Sequence, residues 1–177
     1  MLGKFITFEG GEGSGKSTQA RLLSEQLWRV GVHTFITREP GGSPFAEALR
    51  QVILDPNMPS HSALSEALLF YAARADHLDN TVRPALNSGL WVICDRFIDS
   101  TRVYQGMLGH VDAQLIRGLE RVTVGETMPD LTLILDVPVE VGLQRASARS
   151  AVGLEKRESH GKAIAYVPAG NNRHASP

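Results

Sequence analysis

The sequence predicts an α/β fold in three layers, a parallel β-sheet flanked by helices. Two observations carry that prediction. Short β-branched and aromatic runs alternate along the chain with longer stretches of helical apolar rhythm, the pattern of a parallel sheet covered on both faces. Between the first run and the first rhythmic stretch lies Gly10-Gly-Glu-Gly-Ser-Gly-Lys-Ser17, which fits G-x-x-x-x-G-K-[ST] with Gly10, Gly15, Lys16 and Ser17 at the fixed positions.

The first strand is Lys4-Phe-Ile-Thr-Phe-Glu9, β-branched and aromatic as a buried strand should be. The helix after the glycine loop, 16–30, carries apolar residues at Ala20, Leu22, Leu23, Leu27 and Trp28. His33-Thr-Phe-Ile-Thr37 predicts a second strand. Trp91-Val-Ile-Cys94 predicts a third that closes on Asp95, and Leu131-Thr-Leu-Ile-Leu135 a fourth that closes on Asp136. Further helices fall at 43–54, 62–74, 76–88, 112–125 and 139–149. Pro40-Gly-Gly42, Asp55-Pro56, Asn87-Ser-Gly89 and Pro129-Asp130 punctuate the chain between these elements.

Composition narrows the function classes without choosing one. At 177 residues the chain fits one domain with room for a core. A net charge of −1 argues against nucleic acid as the main partner. The single cysteine, Cys94, rules out an intramolecular disulfide and lies in an apolar run, where a thiol packs as a small hydrophobe. No stretch reaches the ~18 apolar residues of a membrane span, and the N-terminus lacks a signal-peptide layout. The expectation is a cytoplasmic protein with no membrane partner.

The glycine loop has a direct chemical reading. Glycine lacks a Cβ, so successive backbone N–H groups can turn inward and cradle phosphate oxygens, with a helix N-terminus behind them. Lys16 adds a full charge near the β- and γ-phosphates, and the Ser17 hydroxyl is placed to ligate Mg²⁺. Ligands of open α/β sheets bind beyond the carboxyl ends of the strands, so the polar residues there are the candidates. Asp95, closing the third strand, is a second Mg²⁺ contact or the cap of a following turn. Arg38 and Arg96 follow the second and third strands on that edge. Their guanidinium forks suit phosphate oxygens, and a pair of them predicts a second phosphate site facing the first. Two opposed phosphate clamps are what transfer of a phosphoryl group between two phosphates requires.

With these motifs the chain resembles the bacterial thymidylate kinases, which transfer the γ-phosphate of ATP to dTMP. The resemblance rests on Phe8-Glu-Gly-Gly-Glu-Gly-Ser-Gly-Lys-Ser-Thr18, Thr37-Arg-Glu-Pro-Gly-Gly42, Leu69-Phe-Tyr-Ala-Ala-Arg74, and Asp95-Arg-Phe-Ile-Asp-Ser-Thr101 with Tyr104-Gln-Gly106. Pro129-Asp-Leu-Thr-Leu-Ile-Leu-Asp136 adds a less specific match, and the whole covers about residues 3–149. It implies a P-loop kinase fold. ATP would lie on Gly10, Gly11, Glu12, Gly13, Ser14, Gly15, Lys16, Ser17 and Thr18. Phe70 would stack on thymine, although its apolar neighbours leave a core position equally open. Arg74 would bond a base carbonyl, and Thr101 would read the base edge. Tyr104 would close against the ribose 2′ position, with Gln105 lining the same pocket. Glu12 would accept the 3′-hydroxyl of the monophosphate, whose phosphate Arg38 and Arg96 would hold. Gly13 has no side chain where some family members place an arginine, so the charge on the transferring phosphate would come from a lid. Arg145 and Arg149, spaced i, i+4, match lid-helix basics.

The C-terminal part departs from the pattern. Thymidylate kinases continue with a lid, a further helix, a fifth strand and a final helix. Here helical rhythm is lost after Arg149, and polar, glycine and proline residues dominate. The expectation is therefore a kinase-like domain at 1–149, incomplete at its C-terminal end, followed by a lid remnant and disordered tail at 150–177. Lys156 and Arg157 could replace lid charges, and Ala163-Ile-Ala-Tyr-Val167 could add an edge strand. Three functions stay open: an active dTMP kinase, a nucleotide-binding but catalytically weak fragment, and another nucleoside monophosphate kinase. The resemblance also implies a homodimer, for which the apolar faces of 43–54 and 62–74 could serve or simply be core.

Overall fold

The computed structural model describes residues 3–151, and for 149–151 the backbone alone. Four strands, β1 (Phe5–Gly10), β2 (Thr34–Arg38), β3 (Trp91–Asp95) and β4 (Leu131–Leu135), form one sheet in the order β2-β3-β1-β4. All three pairings are parallel. Helices α1 (Lys16–Arg29), α2 (Pro44–Ile53), α3 (Ala63–His77), α4 (Arg83–Asn87), α5 (Ile98–Thr101), α6 (Ala113–Thr123) and α7 (Val139–Ala151) cover it. The candidate edge strand at 163–167 and the candidate lid charges at 156 and 157 lie outside the described residues.

The sheet is apolar on both faces because it is covered on both. On one side Phe5, Val92 and Cys94 pack with Leu78, Val82, Phe97, Ile98 and Val124. On the other, Ile6, Phe8 and Ile93 pack with Ala20, Leu23 and Leu27 of α1 and with Leu133 and Leu135. A third cluster joins Ala67 and Tyr71 of α3 to Ile116 and Leu119 of α6. Cys94 is one of these core residues, fully buried. Burial pushes its thiol well above the usual cysteine range, so it is inert as a nucleophile.

Local chemistry explains most boundaries. Ser43, Ser62 and Asp112 stand just before α2, α3 and α6, and each accepts a bond from a first-turn N–H of its helix. Two differences from the sequence reading are informative. The helices expected at 62–74 and 76–88 are one continuous rod, α3 running through a π-turn (Leu78–Val82) into α4. No glycine or proline interrupts 75–82, and the i→i+5 widening falls just before Pro84, which has no N–H to give the ladder. The sequence also gave no sign of a helix between β3 and α6. The structure has one there, α5 continued as a π-turn (Arg102–Leu108). With seven residues of wide helix, a 3.6-residue rhythm is not the pattern to look for.

The sheet's stability should follow this burial. Leu78→Ala, at a position with 0% exposure, should cost about 2–5 kcal/mol of unfolding free energy in a urea titration. Val122→Ala, at 84% exposure, should stay within about 0.5 kcal/mol.

Candidate active site

The glycine loop runs from the end of β1 into α1, and its shape needs its glycines. Gly10, Gly13 and Gly15 have φ of 140°, 69° and 94°, where a side chain is strained. Lys16, first residue of α1, folds its ammonium back into the loop, donating to the carbonyls of Gly10 (3.0 Å) and Gly11 (2.8 Å). A Cβ at Gly11 would meet nothing within 4 Å, so the loop's backbone is open on that side.

Ser17 and Asp95 lie 78 positions apart in the chain and meet. The Ser17 hydroxyl donates to the Asp95 carboxylate at 2.5 Å. Among the described residues no three His, Cys, Asp or Glu gather as a metal cage. One hydroxyl and one carboxylate suit Mg²⁺, which keeps waters and takes substrate phosphates rather than an all-protein cage.

The parallel register brings the arginines to the same edge. Phe8 of β1 and Arg38 of β2 are both register partners of Asp95 in β3. Arg38 is exposed and bonds Glu47 of α2 at 3.3 Å. Burial opposes ionisation of Glu47, but the Gly42 N–H and the Arg38 charge outweigh it and hold its carboxyl below the ordinary value. Arg96 adopts φ 71°, unusual for a residue with a side chain. Its guanidinium lies over the Tyr104 ring, 5.7 Å from the centroid, and donates to the Ser100 hydroxyl at 3.2 Å.

Glu9, near the end of β1, is part of this arrangement. Its carboxylate is buried and accepts from Phe97 N (2.8 Å), Ser100 N (3.3 Å) and the Ser100 hydroxyl (2.6 Å). Burial pushes its carboxyl above the usual glutamate value, against the lowering effects of Ser100, the Phe97 N–H and the Arg96 charge.

Of the residues expected to read the base, Arg74 and Thr101 meet. Arg74 is 2% exposed. Its Nε donates to Glu39 (2.7 Å), and its Nη2 to the Thr101 hydroxyl (3.0 Å) and the Phe97 carbonyl (3.2 Å). The rings of Tyr71 and Phe97 flank it, 4.9 and 5.3 Å from the guanidinium carbon. Its Nη1 is buried with no hydrogen-bond partner among the described residues. A buried charged donor left unpaired is costly, so Nη1 calls for an acceptor that the described residues do not supply. Glu39 is shared with His77 Nδ1 (3.1 Å), and His77 Nε2 meets the Thr37 hydroxyl (2.7 Å). Glu39 and His77 were missed from sequence. Their signal was an acid flanking Arg38 and a histidine one turn beyond Arg74. Phe70 is half-buried, so it is not one of the core residues, whereas its neighbour Tyr71 is. Thr101 and Gln105 are buried, and Tyr104 is half-buried.

Helix α7 comes against the loop backbone to backbone at Gly142. A Cβ on Gly13 would run into the Gly142 carbonyl, and one on Gly142 would sit 2.5 Å from the Glu12 carbonyl. Arg145 is exposed on α7, one turn after this contact; the side chain of Arg149 lies outside the described residues.

Comparison with known proteins matches this geometry to a family. A family model described as thymidylate kinase matches residues 8–165. The chain belongs to the thymidylate kinase family. A thymidylate kinase of Nitrobacter winogradskyi is 57% identical over 155 residues, which are 88% of this chain and 67% of that protein. One from Bradyrhizobium sp. strain ORS 278 is also 57% identical, over 88% of this chain and 69% of its own length. The chain thus spans about two thirds of the length of these relatives. The crystal structure of a thymidylate kinase from Ehrlichia chaffeensis superposes with a TM-score of 0.71 at 37% identity, covering 86% of this chain and 81% of that one. The family match reaches beyond the point where the sequence motifs stop.

Two measurements probe the site's construction. Gly142→Ala should lower stability by about 1–3 kcal/mol, since backbone rather than a flexible side chain must give way. For Glu9 the folded protein holds its proton to higher pH than the unfolded chain does. Its contribution to stability therefore declines as pH rises from about 4.5 through the raised value, and is flat above it. The unfolding free energy of wild type minus that of Glu9→Gln should show that decline, and a difference independent of pH rejects it.

Proposed function

We propose that this chain phosphorylates dTMP with ATP, forming dTDP for dTTP synthesis. The observation that carries the reading is the meeting of Ser17 and Asp95 at 2.5 Å, on the sheet edge that also carries Arg38 and Arg96. That is one phosphate site with a Mg²⁺-suited donor pair, beside a second pair of phosphate-suited cations. Family membership makes the chain a kinase.

On this reading the loop from Gly10 to Thr18 cradles ATP, and Lys16 spreads positive charge over its β- and γ-phosphates. Mg²⁺, held between Ser17, Asp95 and the nucleotide, would neutralise charge on the same oxygens. Arg38 and Arg96 hold the acceptor phosphate. An oxygen of that phosphate attacks the γ-phosphorus; the new P–O bond forms as the bond to the β–γ bridging oxygen breaks, and ADP leaves with the electron pair. The attacking oxygen is already ionised at neutral pH, so no general base is assigned. Alignment and charge neutralisation do the work. Arg145 supplies a further cation from α7.

The base pocket supports a base that offers a carbonyl, as thymine does and adenine does not. Arg74 Nη1 is a buried donor without an acceptor among the described residues, and a pyrimidine carbonyl would satisfy it. Phe70 stacks on that base, Thr101 and Gln105 line its edge, and Glu12 takes the 3′-hydroxyl. Tyr104, held against Arg96, closes on the 2′ position. A homodimer belongs to the same proposal: Phe45, Val52, Leu64 and Leu68 leave apolar surface exposed on α2 and α3.

A coupled assay for ADP release with dTMP, dUMP, AMP and dGMP tests the reading. Turnover should be fastest with dTMP; turnover with AMP and none with dTMP overturns it, and ATP binding without turnover identifies a binding fragment. Lys16→Ala should abolish turnover with every acceptor. Arg96→Ala should weaken dTMP use by roughly 10²-fold, the scale of a lost charge-assisted pair, while ATP affinity changes little. Equal loss on both sides counts against two separate phosphate sites.

A further inference from the structure

We propose that Glu9 is a positioning residue for the acceptor, fixing the helix that reads the monophosphate to the strand that launches the phosphate loop. The proposal rests on the dTMP kinase reading and deepens it. Glu9 is the last residue before Gly10, so its backbone is continuous with the donor cradle. Its side chain points the other way, to the start of α5. Phe97 precedes that helix and has no oxygen to cap it, and no side chain of its own segment caps it either. Glu9 does so from β1, accepting from Phe97 N and Ser100 N through one carboxylate oxygen.

The consequence reaches every acceptor-side residue on that segment. Arg96 immediately precedes it, and Thr101, Tyr104 and Gln105 lie on α5 and the π-turn that continues it. A second link is more specific. Ser100 donates its hydroxyl proton to the other Glu9 oxygen (2.6 Å) and accepts from Arg96 Nη1 (3.2 Å). Glu9, Ser100 and Arg96 are therefore a chain in which the carboxylate sets the direction of the serine hydroxyl, and the hydroxyl oxygen sets the pitch of the guanidinium. Arg96 sits at φ 71° and reaches its position through this support. Such a residue matters for aim, since a displaced clamp costs rate without removing any contact to ATP.

The test uses the full chain and reads KM for dTMP, KM for ATP and kcat together. Glu9→Gln keeps the shape and the acceptor oxygen for the two N–H groups but offers Ser100 an amide donor, reversing the first link. Ser100→Ala removes the relay and leaves the cap. Each should raise KM for dTMP roughly tenfold with KM for ATP within about twofold. The double variant should be no worse than Glu9→Gln alone, because both break one chain. Ser100→Thr, which restores a hydroxyl, should recover much of the loss. Parallel rises in both KM values, no rise in either, or losses that multiply in the double variant each overturn the proposal. If Glu9→Gln fails to fold, Ser100→Ala still decides it: an unchanged KM for dTMP overturns the relay. A wild-type enzyme that ignores dTMP would bring down the substrate reading itself, an outcome distinct from normal dTMP turnover that the variants leave unmoved.

Discussion

Parallel pairing makes every strand deliver its carboxyl end to the same edge of the sheet, and this site depends on that constraint. In an antiparallel sheet Arg38, Asp95 and the glycine loop would be scattered over two edges. Here the register sets Phe8 and Arg38 both against Asp95, so the loop, the acidic strand end and two arginines follow within a residue or two of one line. The interior strands β1 and β3 can be this polar at their ends because they are apolar along their length. Packing on both faces holds the edge still, and the edge does the chemistry.

Buried charge then does the fine placement. Glu9 and Glu39 are both buried carboxylates at strand ends, and each grips an adjacent element by its donors: Glu9 the start of α5, Glu39 the side chains of Arg74 and His77. Neither acid would survive burial without those partners. The arginine held by Glu39 is fixed by three partners and two flanking rings, which leaves only the buried Nη1 without a partner among the described residues. Rigidity of this kind lets a site discriminate, since a fixed donor cannot swing to meet the wrong acceptor.

The parts legible in sequence are those whose chemistry is local. The glycine loop, the four strands and the serine and aspartate caps each show their cause within a few residues. Arg38 and Arg96 were legible because a strand end is a defined place once the sheet is parallel. Glu39 and His77 were not, because their meaning comes from contacts across 35 to 40 positions. Glu9 carried a signal in hindsight: an acid closing a strand of phenylalanine, isoleucine and threonine has to find partners somewhere. The helix from 98 to 108 escaped notice for a different reason, since its wide turn does not follow the ordinary period and its cap comes from another strand.

The glycine pair at 13 and 142 has an implication for how such enzymes can differ. With α7 in its present place, backbone meets backbone, and an arginine at position 13 has nowhere to begin. A cation rooted in the loop and a helix seated on the loop are thus mutually exclusive arrangements of one backbone. Relocating the charge from one to the other cannot be done by a single exchange of side chains; the helix must step aside first.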